Sequence, residues 1–596
     1  MKFSHMLKVF LITMLPMVVQ AACSKPCKKD CYSSHNTMIF RAFSSSSLRQ
    51  LIQEPNIIYE HDKDHYMYLC ATSEYSQNFN RCKPCNNVAT YALWSGTNEL
   101  TFGRNDGRAD VDAYYFGFGN IPVNEDGIGG KITLNPQIQM AGTDIMLYYA
   151  HKKNDSSFYF KLFAPLGAIS VNPNLKETMA IQSNEDVMTD GISTTPPNNT
   201  YQYANLNYPT PERRYQTLVE AWTGGLPGGA QDNSSVSLNG NIDRPIRLRK
   251  GRIAPARVTD IKIGDMAACF GYNWLLNRGS FAVGLKATCP TGSVPTGDFM
   301  LEPIFGRGGV WGIGAEVFGY AKAWQNEEQS KTLLISWQGE VLHLMPGRKP
   351  AYRSFDLKAN GPGSKYMLAQ YYRGVYTNSG APNYIYSQPI QPQNLTPVID
   401  LTTLPVLSTF SAEGSFATMI NYIQNDWTFK LGGEVWGRSF EKISLDIPST
   451  VILRFQNLNS YAVVGRQVGA YIVNGQTSTL YANLCEPLAT INQSENTASL
   501  SGTTGAFTVP TVIPDGVKDG SLAQNRIPEK ITEALDVEGA SAPSVISGKL
   551  TGAMAYTWSE HYYPPTLTIF GGIEFANNNS VIKQLWHAGV SGSIQF

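Results

Sequence analysis

Alternation of apolar and polar residues with a period of two recurs along the chain. In Phe281–Cys289, Phe281, Val283, Leu285 and Ala287 fall on one face, and Gly284, Lys286 and Thr288 fall on the other. Successive side chains of a strand point to opposite sides, so this pattern predicts a strand with one greasy and one polar face. Gly309–Phe318 sets Trp311, Ile313, Ala315 and Val317 against Gly312, Gly314 and Glu316. In Thr332–His343, Leu333, Ile335, Trp337 and Val341 share the apolar face. Trp427–Arg438 opposes Trp427, Phe429, Leu431 and Val435 to Thr428, Lys430 and Glu434, and Thr566–Phe575 opposes Leu567, Ile569, Ile573 and Phe575 to Thr568 and Glu574. Ile145–Ala150 and Phe158–Ala164 predict a hairpin around a polar turn, with Tyr159 and Lys161 across from Phe158, Phe160 and Leu162. Asp64–Tyr75 reads as the first strand, with Tyr66 and Tyr68 on one face.

Strands of ~9–11 residues with an apolar outer and a polar inner face are what a barrel in lipid requires. Glycines within them ease curvature, and rings at strand ends (Trp311, Trp427, Trp586) suit an interfacial girdle. A water-soluble sandwich shows the same alternation, so a secreted or surface all-β adhesin or binding protein without a pore is the alternative. Strand length, the glycines within the strands and the rings at their ends favour the barrel. At 596 residues the chain exceeds one ordinary core of ~250–300, whereas a barrel grows by adding strands. Charged residues make up 16%, against ~25% in typical soluble domains. Lys+Arg and Asp+Glu number 47 each, which gives no positive excess for a nucleic-acid partner.

Met1–Lys8 is basic, Val9–Val19 is apolar, and Val19-Gln20-Ala21 offers small residues for cleavage, so residues 1–21 read as a secretory signal. That run is too short to span as a helix, and no longer one follows. Export implies an oxidising compartment, where disulfides are the default. The candidates are Cys23, Cys27, Cys31, Cys70, Cys82 and Cys85, the first three in a cysteine-rich segment assigned to residues 22–60 and all within the first hundred residues. An odd total of nine leaves at least one thiol free or intermolecular. The Cys23/Cys27/Cys31 triplet fits a disulfide or a crosslink between neighbours better than a metal. Cys82-Lys-Pro-Cys85 has redox-motif spacing without a surrounding βαβ pattern and reads as a structural bridge.

Residues 61–596 then form the barrel. The polar stretches 173–255 and 492–547 are predicted as long extracellular loops, the second serving as a loop or a lumen plug. Leu48–Gln53 is helix-prone. No zinc-protease, Walker or nucleophile-elbow motif is present, so no catalytic residue, cofactor or metal is expected and a secreted hydrolase ranks third. His61 and His65 stand four apart, but strand follows His65 and a polar turn is the better reading. Asn105–Asp112 lacks calcium-loop spacing and reads likewise as a turn. Lys161, Lys286, Glu316, Lys430, Glu434 and Glu574 are the candidate lumen residues, because inward positions tolerate charge that lipid-facing positions do not.

The last strand runs to the final residue, with Trp586, Ala588, Val590, Ile594 and Phe596 on one face. It resembles the terminal signal of bacterial outer-membrane β-barrels, in which a C-terminal Phe after alternating apolar residues is read by the insertion machinery. Trp586, Val590, Ile594 and Phe596 carry the likeness. The stretches Pro290–Gly312 and Ala109–Gly117 are similar to segments of large outer-membrane proteins of intracellular bacteria, and the cysteines to those of cysteine-rich barrels that stiffen such envelopes. These resemblances imply an exported Gram-negative outer-membrane protein, either a porin-like channel or an abundant envelope protein. Its partners would be outer-membrane lipid, the barrel-assembly machinery, and possible copies of itself or disulfide-linked neighbours.

Overall fold

The structure is a computed structural model. It describes residues 41–54, 64–79, 93–181, 217–225, 237–242, 247–371, 395–446, 461–493, 500–501 and 534–596, with breaks of one to three residues inside some stretches. The expected signal, and Cys23, Cys27, Cys31, Cys82 and Cys85, lie outside the described residues.

Twelve antiparallel strands close on themselves: β1 (His65–Asn78), β2 (Gln137–Lys153), β3 (Ser156–Asn172), β4 (Met266–Leu276), β5 (Gly279–Cys289), β6 (Trp311–Gln325), β7 (Lys331–Met345), β8 (Thr403–Gln424), β9 (Trp427–Arg438), β10 (Val545–Thr557), β11 (Pro565–Ala576) and β12 (Gln584–Gln595). Each pairs with its neighbour in sequence, and β1 pairs with β12 from Tyr68↔Gln595 to Asn78↔Leu585, which closes the ring. Closure leaves no open edge at the seam, as a backbone in hydrocarbon requires. The fold is all-β and is a single barrel wall, not two stacked sheets.

The two ends differ. At one, strands turn tightly, through Asn154 and Asn425 with positive φ and through 277–278. At the other, every connection but the one between β11 and β12 is long. Val258–Ile263 there extends β4 alongside β3, and Glu441–Leu445 and Ala351–Ser354 pair with the start of β8.

Burial is inverted relative to a water-soluble protein. Leu285 is 73% exposed and Leu431 65%, while Lys161 and Glu316, on the opposite faces, are 0% and 1%. Phe270, Ile313, Val341, Phe429, Ile569 and Val590 continue the exposed apolar surface. At the tight-turn end it is edged by Trp274, Trp324, Trp427, Trp558 and Tyr563, and at the other by Trp311. A 12-residue strand such as β9 runs about 36 Å and, tilted near 45°, rises about 25 Å, the height of a lipid-facing belt. Apolar belt outside, charge inside and rings at the rims place these strands in a bilayer.

The wall is tight where glycine sits against a large neighbour. A Cβ on Gly284 of β5 would meet the Tyr159 hydroxyl and come within 3.0 Å of Cys269 Sγ, both inside the barrel. Gly284→Val is therefore expected to lower the thermal unfolding midpoint in detergent, read as loss of the heat-modifiable band, while Gly552→Val, which meets nothing within 4 Å, leaves it unchanged.

The long connections are more than solvated loops. Leu100, Phe102, Phe116, Trp222, Tyr366 and Leu535 are fully or nearly fully buried in one apolar core that also takes Ile138, Val171 and Val406 from the strand ends. Phe116 stacks on Trp222 at 4.5 Å, and Tyr366 donates its hydroxyl to the Gly251 carbonyl at 2.7 Å. The described parts of the long connection 173–255 include a short strand (Lys176–Met179), a helix (Leu218–Trp222) that packs in this cap, and a two-strand ladder of Ser237–Leu238 with Asn241–Ile242. Residues 534–540 of the 492–547 stretch also pack in it, and most of that stretch, where a loop or a lumen plug is expected, lies outside the described residues.

Candidate functional site

The lumen is filled by the segment before β1. Ser47–Gln53 forms a helix, α1, with every residue buried, capped by the Ser46 hydroxyl that accepts from the Arg49 amide at 3.3 Å. Seven residues make a helix about 10 Å long, too short to persist alone. The wall holds it. On β9, Glu434 and Lys430 both face inward four residues apart, about 13 Å along a strand. Glu434 accepts from the Ser46 hydroxyl at 2.9 Å and from the Leu48 amide at 3.4 Å. Lys430 Nζ donates to the carbonyls of Leu51, Ile52 and Glu54 at 3.3–3.4 Å. One strand thus sets a carboxylate at the positive end of the helix and an ammonium at its negative end.

Ion pairs complete the attachment around the circumference. Arg49 lies 3.5 Å from Glu74 of β1 and 3.0 Å from Asp144 of β2, and donates to the Thr72 carbonyl. Arg41 bridges Glu434 at 2.6 Å and Glu574 of β11 at 3.2 Å. Glu54 takes Lys161 of β3 at 3.3 Å. Gln50 accepts from Gln338 of β7, and Leu48, Leu51 and Ile52 pack on Met419 and Phe570. Buried charges are tolerated only when paired in this way.

The six residues singled out in the sequence all line this interior. Lys161 and Lys286 share Glu316, at 3.2 and 3.7 Å, and Lys286 also pairs with Glu340. Glu434, Lys430 and Glu574 hold the plug directly. They are partners in an interlocked network, whereas an open pore would present them to solvent. The plug residues Arg41, Arg49 and Glu54 were missed, because a helix with Arg49, Gln50 and Gln53 reads as solvent-facing. The usable signal was the Lys430/Glu434 spacing, matched to one short helix.

Cys70 is a correction. Its thiol is free and buried in the lumen, 3.4 Å from the Thr72 hydroxyl and 3.2 Å from that of Ser591. Its position on β1 turns it inward beside Tyr66 and Tyr68, a face that compartment alone does not reveal. Trp586 and Val590 point outward, Ile594 is half-buried, and the Phe596 amide donates to the Met67 carbonyl at 2.8 Å, with its ring 5.5 Å from Tyr563. In the cap, burial pushes the Asp400 carboxyl up to about 6, although the Arg249 and Lys250 amides donate to it, so this tie between 249–250 and the 398–402 helix is half-ionised in mild acid.

This is a plugged transmembrane barrel. No protein-family model matches the chain, and no curated protein matches it. Among solved structures it is similar to an outer membrane channel from Pseudomonas putida F1, at 7% identity and a TM-score of 0.34 over 91% of this chain and 99% of that one. The P. putida toluene transporter TodX aligns at 7% identity and 0.26, over 94% and 99%. A Pseudomonas aeruginosa FadL homologue aligns at 9% and 0.24, over 90% of each. Scores this low leave the functional reading to the chain's own geometry.

Proposed function

We propose that this protein is an outer-membrane channel that passes small solutes passively, with residues 41–54 as its gate. One observation carries this reading: the plug is attached by side chains. Among the described residues, no backbone-to-backbone hydrogen bond joins 45–54 to a barrel strand, so the segment can leave without breaking the ladder of the wall. What it vacates is a passage lined by Lys161, Lys286, Glu316, Lys430, Glu434 and Glu574, a surface water wets. Export through residues 1–21, insertion through Trp586, Val590, Ile594 and Phe596, and crosslinking through the N-terminal cysteines belong to the same reading. The density of buried ion pairs also fits a permanently closed envelope barrel, and one experiment separates the two. In planar bilayers the full chain is expected to be mostly closed, and a chain lacking residues 41–54 to show steady ohmic conductance. A deletion chain that folds, by heat-modifiable migration, yet does not conduct ends the channel reading.

A further inference from the structure

The outer rim at the tight-turn end carries an arrangement that gating does not use. His65 opens β1, and His151 stands directly across from it on β2. Both side chains are exposed, and their Nδ1 atoms are 3.3 Å apart. The rings stack with centroids 4.7 Å apart and planes 29° apart, and the Tyr149 hydroxyl lies 3.0 Å from His65 Nδ1. Two nitrogens on one tetrahedral zinc, each ~2.0–2.1 Å from the ion, are separated by about 3.3 Å. Adjacent nitrogens of a square-planar ion at the same bond length would be only about 2.9 Å apart.

We propose that His65 and His151 bind a zinc ion at the rim of the barrel, clamping β1 to β2. Small rotations about the two Cβ–Cγ bonds turn both in-plane lone pairs toward a common point between the rings. Water fills the remaining positions, and the Tyr149 hydroxyl is placed to hydrogen-bond to it. Without metal, the same gap holds an imidazole–imidazole hydrogen bond, in which one Nδ1–H donates to the other Nδ1. When zinc binds, that proton moves to Nε2 of its ring, leaving both Nδ1 lone pairs for the metal. The clamp sits where the chain enters the wall, at 64–65, ten residues after Glu54. The inference stands apart from channel activity, since neither histidine faces the lumen.

The test uses the full-length, tag-free chain in detergent, stripped with a chelator and titrated with zinc chloride against a chromophoric competitor. One equivalent is expected to bind. His65→Ala and His151→Ala should each weaken it at least about tenfold, since even outer-shell partners of a metal site are worth that much. Tyr149→Phe should weaken it less. Zinc should also raise the unfolding midpoint of the parent chain and not that of the double variant, which keeps the other six histidines. Both substituted side chains are exposed at the rim, and heat-modifiable migration confirms that the variants fold. If the parent takes up no equivalent, or if the double variant binds zinc as tightly, the proposal is overturned.

Discussion

Leu285→Arg is expected to cripple membrane assembly, although it replaces one of the most exposed side chains of the wall. Leu285 sits on β5 between Phe270 of β4 and Ala315 of β6, with its face turned outward. Were water the solvent on that face, an exposed Leu exchanged for Arg would change stability by no more than about 0.5 kcal/mol and would aid solubility. In hydrocarbon the same guanidinium costs about 2–4 kcal/mol near the midplane. The two solvents therefore predict different outcomes from one substitution. The folded fraction in lipid vesicles, read by heat-modifiable migration and by the urea midpoint, should fall by the larger amount, and Leu431→Arg on β9 should do the same. Leu285→Phe, apolar and bulkier, should assemble normally. If both arginine variants fold as well as the parent, the belt does not face lipid and the membrane reading fails.

What the sequence reveals and what it hides follows from the range of each interaction. The faces of β5, β6, β9, β11 and β12 are legible because the requirement is local: every second residue meets lipid whatever its neighbours are. For the same reason Lys161, Lys286 and Glu316 can be placed inside without knowing their partners. The partners are not legible. Arg41 meets Glu574 across 533 positions of sequence, and Lys161 meets Glu54 across 107. No periodicity encodes such pairs, since they depend on which strand closes the ring. The role of residues 41–54 is not legible because polarity ordinarily means solvent, yet inside this barrel polar residues are the buried ones. The cap was missed for the complementary reason. Its core is assembled from single residues scattered over many connections, Trp222 in one and Leu535 in another, and none forms a periodic run.

The second large effect concerns the field along α1. Exchanging the two charges of β9, Lys430→Glu together with Glu434→Lys, leaves the net charge of the lumen unchanged and reverses its direction. The new carboxylate then faces the carbonyls of Leu51, Ile52 and Glu54, and the new ammonium faces the amide end of the helix. Each unfavourable dipole contact costs about 0.3–2 kcal/mol in a partly buried site. The larger loss is at Arg41, which trades a 2.6 Å ion pair with Glu434 for a like charge; breaking a buried pair costs about 3–5 kcal/mol. At least about 4 kcal/mol is thus removed from docking of the plug, roughly a thousandfold shift toward the undocked state. Arg49 and its partners on β1 and β2 are untouched, and the wall itself keeps its ladder. The expected result is a folded barrel that conducts without any deletion, with an open probability far above that of the parent and close to that of the chain lacking residues 41–54. Lys430→Met alone, which removes one dipole contact and no ion pair, should fall between them. An exchange variant that folds and stays closed would show that α1 is held by packing on Met419 and Phe570 and not by the charges that surround it.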